Sequence, residues 1–380
     1  MLSTRYPFPV RKGDQAVIKT RFAVLNSKFT IDFVCLGKEA NRVHKLEKEY
    51  NNINFHVIPF SYTVAITKCF INIFSDQPFQ IAAFDQPKIK AYVSELLNLN
   101  HYQFIHHFLI RSMTWSQDDK KFVRIMDAID SMQLNLTELI KKSPFIMKLI
   151  YKEEKKRVSV FENQLHKYFD QIWTVAARDA AFFGKNTKIF PICRDLKEYQ
   201  SKKISARHVK SIIFSGNLNY YPNADAILFF YKIFKKLKKS YPEVKFSIAG
   251  NGWNSELDKL KSDSSVIFLG EVDNMNLTLM QADMAVCPMN LASGMQNKVI
   301  EAMVAGVPSV ISLKAKGDLE LISETHCMIA NNETEFLQHI LTLMNDHDLR
   351  IKIAKNARSY MESHHSLVNL SKGIFDAYEI

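Results

Sequence analysis

From residue 210 onward the chain repeats one pattern: a short apolar run, a polar break often marked by glycine, then a stretch with helical spacing. Ser211 to Ser215 reads as a strand ending at Gly216, and Val244 to Ala249 as a strand ending in Gly250-Asn251-Gly252. Val266 to Leu269, Met284 to Cys287 and Pro308 to Ile311 read as three more. Helical segments fill the gaps at Asn223 to Lys239, Ser255 to Lys261, Leu277 to Gln281 and Asn297 to Val304. Strands that alternate with helices pair in parallel, because each helix carries the chain back over a sheet face; the pattern predicts a parallel sheet covered on both sides. Ligands of such sheets bind beyond the carboxyl ends of the strands. The glycines at 216, 250, 252 and 270 each follow a strand and mark those ends.

The first half follows the same rule less regularly. Met1 to Thr4 reads as the tail of a strand, so the chain enters near the end of the expected first strand; a Pro-rich loop leads to Gly13 and Asp14 and a helix runs to about Leu25. Strands are expected at Thr30 to Leu36, Asn54 to Pro59, Gln103 to Phe108, Phe122 to Asp127, Gln171 to Val175 and Thr187 to Pro191, with a charged helical region from Lys141 to Phe169. The polar, basic stretch Arg194 to Lys210 reads as a linker. A chain of 380 residues exceeds one ordinary core and suits two α/β domains, 1–195 and 205–364.

The net charge of +11 points to an anionic partner: nucleic acid, anionic lipid or a phosphorylated substrate. Nucleic acid ranks lowest, because the basic residues are not interleaved with aromatics in the pattern of a binding module. The five cysteines are scattered and never form a C-x-x-C pair, which fits a reducing, cytoplasmic compartment and no metal site. Pro7, Pro9, Arg11 and Lys12 stand where a signal peptide needs apolar residues. Ile53 to Phe74, broken by His56, Pro59 and Lys68, reads as buried strands and a helix rather than a membrane span.

The run Pro288 to Val310, PMNLASGMQNKVIEAMVAGVPSV, carries the chemistry. Ser293 can cap the helix that follows and Gly294 lets backbone approach a ligand closely. The helix start offers N–H groups and a positive dipole end to an anion. Lys298 adds a full positive charge beside a diphosphate, and Glu301, one turn deeper, can accept two hydrogen bonds from a ribose diol. An ordinary helix with a solvated lysine and glutamate has the same spacing.

This run resembles the donor-site signature of glycosyltransferase family four, retaining enzymes of the GT-B fold. The match lies in Glu301-Ala302-Met303 and Gly306-Val307-Pro308, and the variant Gln296-Asn297-Lys298 is similar to a bacterial exopolysaccharide and surface-glycan branch. Ser215-Gly216-Asn217, Tyr221-Pro222-Asn223, Ala249-Gly250-Asn251-Gly252, Leu269-Gly270-Glu271 and Ala282-Asp283 extend it. In the first half it rests on Tyr6-Pro7-Phe8-Pro9, Lys12-Gly13-Asp14 and Asp127 to Ser131. Two departures stand out: the family's first donor-site glutamate is replaced by Ser293, and an Arg and Lys that clamp the diphosphate are replaced within Gly216-Asn217-Leu218-Asn219.

The resemblance implies two Rossmann-like domains facing across a cleft, with a last helix, 365–380, crossing back to the first. It places donor-binding roles on Gly13, Gly216, Asn217, Gly250, Asn251, Gly252, Ser293, Gly294, Met295, Gln296, Asn297, Lys298 and Glu301. For Gly13 and Asp14 a simple turn and N-cap is the competing reading. Asp127 stands where relatives often carry a histidine near the reacting carbon, and is assigned with Lys298 and Glu301 to catalysis. Asp14, His106, His107 and Arg178 are assigned to the acceptor side, with at most one of the two histidines facing substrate. Ser131 reads as a helix cap and Glu162 as one end of a surface salt bridge.

The expected activity is therefore transfer of a sugar from a UDP- or GDP-linked donor, with no cofactor or metal, to a glycan or lipid-linked acceptor. A non-catalytic nucleotide-sugar-binding partner and a sugar-nucleotide epimerase are the alternatives. Basic and apolar residues between Lys141 and Arg157, Phe145 to Ile150 among them, fit an anionic membrane surface at the inner face of the plasma membrane.

Overall fold

The computed structural model describes residues 1–10, 13–37, 50–116, 121–184, 186–194, 196, 204, 209–291 and 296–379. They form two compact units, Met1–Cys193 with Leu370–Ile380, and Arg194–Asn369. The first contains β1 (Leu2–Ser3), β2 (Ile31–Leu36), β3 (Ile53–Ile58), β4 (Phe104–Phe108), β5 (Val123–Ile129), β6 (Gln171–Thr174) and β7 (Thr187–Ile189). These join in the order β3-β2-β1-β4-β5-β6-β7, every pair parallel. The second contains β8 (Ser211–Ser215), β9 (Lys245–Ala249), β10 (Val266–Gly270), β11 (Met284–Cys287), β12 (Ser309–Ser312) and β13 (Met328–Ala330), in the order β10-β9-β8-β11-β12-β13, again parallel. The expected α/β fold of two parallel sheets is what the chain adopts.

Period-two alternation decides each face. On β5, Met126 and Ala128 turn to a core shared with Leu136 and Val158, which come from the helices Met132–Lys142 and Phe145–Gln164. Asp127 turns the other way, toward Arg21 of the helix Gly13–Leu25. That face also receives the last helix, Leu367–Tyr378, whose Tyr378 packs edge-on against Phe104 and Trp173. In the second unit, Ala302 and Ala305 join Ile213, Ala249 and Ala285 on one side of the sheet. Phe230 of the helix Tyr221–Ser240 meets Phe246 of β9 on the other.

Three local expectations are corrected. The helix Tyr62–Ile71 is not buried: of its residues only Ala65 is, and Tyr62, Ile66, Phe70 and Ile71 lie on the surface. Ser131 does occupy the cap position of the helix Met132–Lys142, but its hydroxyl donates to Glu162 instead of capping. Glu162 forms no surface salt bridge; fully buried, it accepts from Ser131 Oγ (2.8 Å), the Met132 N–H (2.6 Å) and Gln133 Nε2 (2.9 Å), and so caps that helix from outside.

Burial raises the Glu162 carboxyl from 4.5 to about 7, against the hydrogen bonds that pull it down. The folded protein therefore keeps a proton that the unfolded chain has released between pH 4.5 and about 7. Stability from this group is full below that window and is lost as pH rises through it, by as much as about 3 kcal/mol. Urea midpoints measured from pH 5 to 8 are expected to fall for the wild type, and Glu162→Gln is expected to flatten that slope. An unchanged slope in the variant would remove Glu162 as its source.

Candidate functional site

In the second sheet the strand order reverses between β8 and β11: successive strands run outward from β8 on one side and from β11 on the other. Such a switch point opens a crevice at the carboxyl ends of the two strands, because their following helices leave to opposite faces. The helix Asn297–Val304 begins beside that crevice. Gln296 holds its cap position, with no side-chain capping bond to the helix. Ser293, Gly294 and Met295, expected to cap and line the site, lie outside the described residues, as do Lys12 and most of the expected linker.

Lys298 spans the crevice. Its Nζ donates to Asn223 Oδ1 at 2.8 Å, just after β8, and lies 3.7 Å from Met289 Sδ, just after β11. The ammonium also sits over the Phe214 ring, 5.3 Å from its centroid. Burial pulls the Lys298 pKa down from its ordinary value, while Cys287 and Glu301 push it back up. A cation partly desolvated in this way gains more from an arriving anion than an exposed one does. Cys287 itself is a core residue: burial pushes its thiol up to about 12.

Glu301 lies half-buried on the same helix. Its Oε1 is 3.3 Å from Arg194 Nη2, which also donates to Asn297 Oδ1 at 3.1 Å. The second Glu301 oxygen has no hydrogen-bond partner among the described residues. Arg194 carries no signal in sequence, being one cation at the edge of a basic stretch. It reaches Glu301 because its backbone pairs with Ser366 and donates to the His365 carbonyl (2.9 Å), where the helix His347–His364 ends.

The loops beyond β8, β9 and β10 lock onto one another. Gly216 N–H donates to the Ala249 carbonyl, Leu218 N–H to Asn251 and Gly250 N–H to Gly270. Gly250 approaches so closely that a Cβ there would lie 1.9 Å from the Gly216 carbonyl oxygen. Gly252 has φ of +80°, which favours glycine, and packs on the Asn219 side chain. The Asn217 carbonyl accepts from Asn223 Nδ2, and its Oδ1 accepts from the Asn219 N–H. The amides in the place of the family's Arg and Lys thus brace the loop, and Lys298 brings an ammonium to this crevice.

The first-unit candidates come out differently. Asp127 is not a strand-end carboxylate facing substrate: it is fully buried, its Oδ2 accepting from Arg21 Nε at 2.9 Å, with both side chains shut off from water. Burial pushes the Asp127 carboxyl up, but Arg21 and His106 outweigh it and leave the net shift downward. His106 is buried with its Nδ1 2.7 Å from the Tyr378 hydroxyl. His107, also fully buried, lies on the other face with Nδ1 3.0 Å from the Ser112 carbonyl and Nε2 2.9 Å from Ser116 Oγ. Neither histidine is open to an acceptor, because helices cover both faces of this sheet.

Gly13 is the exposed first residue of its helix, and a Cβ there would meet nothing within 4 Å. Asp14, in the first turn, pairs with Arg5. Arg178 is half-buried in the short helix Ala177–Ala180, its Nε 3.4 Å from Asp179 Oδ2. The structure thus gathers Gly216, Asn217, Gly250, Asn251, Gly252, Gln296, Asn297, Lys298 and Glu301 at one end of the second sheet, and it turns Asp127, His106 and His107 into core residues.

Residues 209–346 match the family model described as glycosyl transferases group 1. No curated protein matches the chain. Among solved structures, HepE of Anabaena in complex with UDP and glucose superposes with a TM-score of 0.69 at 12% identity, covering 100% of this chain and 98% of that one. Sucrose-phosphate synthase of Thermosynechococcus elongatus gives 0.71 at 13%, covering 100% and 97%. A mutant of S. aureus TarM in complex with fondaparinux, α-GlcNAc-glycerol and UDP gives 0.62 at 11%, covering 99% of each chain. The expected GT-B fold is borne out, and the match to group 1 glycosyl transferases bears out the resemblance to family four expected from the sequence.

Proposed function

We propose that this chain, a GT-B protein with a group 1 glycosyltransferase domain at 209–346, moves a sugar from a nucleotide-diphosphate-sugar to an acceptor hydroxyl. The observation that carries the reading is the Lys298 ammonium, held across the β8–β11 switch point at the start of the helix Asn297–Val304. A diphosphate laid there meets a partly desolvated cation and the positive end of a helix, the two features that bind and stabilise an anion without proton transfer. Both grow in value as the glycosidic bond loosens and charge collects on the leaving diphosphate. Glu301, one turn on and held through one oxygen by Arg194, offers its other oxygen to the ribose diol.

In this reading the donor is UDP- or GDP-linked. The solved HepE structure with UDP and glucose, and that of TarM with α-GlcNAc-glycerol and UDP, support a nucleotide donor and a hydroxyl acceptor. Retention at the anomeric carbon and metal-independent departure of the diphosphate belong to the same proposal. So do an acceptor that is a glycan or a lipid-linked intermediate of a surface polysaccharide or glycoconjugate, and a place in the cytoplasm at the inner face of the plasma membrane.

Thermal unfolding of the pure protein against a panel of nucleoside diphosphates and nucleotide-sugars tests the reading. A ligand at a hundred times its dissociation constant stabilises the folded state by about 2.7 kcal/mol, which reads as a rise of a few degrees in Tm. A rise with one nucleotide family is expected. No rise with any member at millimolar concentration sinks the proposal.

A further inference from the structure

Two helices of the first unit turn large apolar side chains to solvent. In Phe145–Gln164 the buried residues include Glu154, Arg157 and Glu162, while Phe145, Ile146, Leu149 and Ile150 face solvent. In Tyr62–Ile71 and the turn after it, Ile66 (71% exposed), Phe70 (70%) and Phe74 (92%) do the same. The buried charges explain how the two are joined. Arg157 donates to the carbonyls of Asn72 (2.8 Å) and Ile73 (3.2 Å), and Glu154 accepts from the N–H groups of Phe79 (2.8 Å) and Gln80 (3.0 Å). The segment that carries Phe74 is therefore clamped to the middle of the longer helix, one to three turns from Phe145 and Ile150.

Exposed apolar clusters on this scale mark interaction surfaces. The neighbouring charge chooses the partner. Lys148, Lys152 and Lys156 recur one helical turn apart beside the apolar residues, Lys152 and Lys156 exposed and Lys148 half-buried. A second copy docked face to face would set these lysines against their own images, whereas an anionic bilayer neutralises them and takes up the aromatic and aliphatic side chains together. No described helix is long and apolar enough to cross a membrane, so the contact is one of lying on the surface.

We infer that Phe70, Phe74, Phe145 and Ile146, with Lys148 and Lys152, form a docking surface for an anionic lipid bilayer. The inference deepens the membrane part of the proposed function and rests on it only for the purpose the docking serves.

Co-sedimentation of the full chain with vesicles of phosphatidylcholine, with and without phosphatidylglycerol, is the test. Binding is expected to the mixed vesicles, weakening as salt rises. Phe70→Ser/Phe74→Ser, Phe145→Ser/Ile146→Ser and Lys148→Glu/Lys152→Glu are each expected to weaken it by about tenfold or more. These apolar side chains are exposed, so unfolding should be unmoved. Binding that all three double variants keep, or no binding by the wild type, overturns the inference. So does a dimer, seen by sedimentation, that Phe70→Ser/Phe74→Ser dissolves while vesicles are ignored. Nucleotide stabilisation measured on the same samples separates the two readings: its absence beside intact vesicle binding counts against the donor site and leaves the surface standing.

Discussion

Lys298→Ala is expected to lower sugar transfer by about 100- to 1000-fold and to erase the rise in Tm that nucleoside diphosphates give the wild type. The reasoning is local. The ammonium is the charge that bridges the ends of β8 and β11, and the amides at 217, 219 and 223 are occupied in bracing loops. Removing it leaves the helix N-terminus to face a departing diphosphate by itself. The unliganded protein should lose only about 1 kcal/mol, the worth of one hydrogen bond to Asn223. Lys298→Arg should not restore activity, because a planar guanidinium does not fit where Asn223, Met289 and Phe214 enclose a compact point charge. Glu301→Ala is expected to be milder, since on the proposed function it removes only the ribose partner and leaves the Lys298 ammonium in place. Wild-type turnover by Lys298→Ala would end the assignment of this crevice to the diphosphate.

The second large effect is on stability. Asp127→Ala should cost about 3–5 kcal/mol, because it strands the Arg21 guanidinium in a place with no water. Arg21 already rests beside the rings of Trp173 and Phe190, at 5.8 and 5.6 Å, and no described carboxylate other than Asp127 pairs with it. Urea unfolding followed by the fluorescence of Trp173 and its neighbours reads this unit. The double variant Arg21→Met/Asp127→Leu should recover much of the loss, since replacing both charges removes the desolvation penalty as well as the attraction. A residue touching acceptor would behave in the opposite way. If Asp127→Ala kept its urea midpoint and lost only turnover, the core assignment would fail.

That contrast shows where sequence reading reaches and where it stops. The parallel strands and the helix Asn297–Val304 were legible because backbone hydrogen bonding makes both periodic, and periodicity survives in a one-dimensional record. The meeting of Lys298 and Glu301 beside the crevice was legible for a related reason: a cation and a carboxylate at fixed helical spacing after a strand land together wherever the helix goes. Asp127 was misread because its partner lies 106 positions away on another element, and a polar residue in a strand carries no mark of what covers it. Arg194 was missed on the same ground, its approach to Glu301 depending on a bridge to Ser366. The strand β13, three residues long, is too brief for alternation to register. The helix Tyr62–Ile71 reads as interior because it is apolar, yet its large side chains lie on the surface.

The helix Leu367–Tyr378 has a consequence for how the protein comes into being. Tyr378 reaches His106, Gln171 Nε2 holds the Ala377 carbonyl at 2.6 Å, and the rings of Phe29, Phe104 and Trp173 close around the tyrosine. The ribosome delivers the seven strands of this unit before the second unit, and the helix that seals them only after it. During the whole translation of the second unit the nascent first unit displays an empty aromatic seat. A stall or premature stop ahead of Leu367 would therefore damage the unit that was made first.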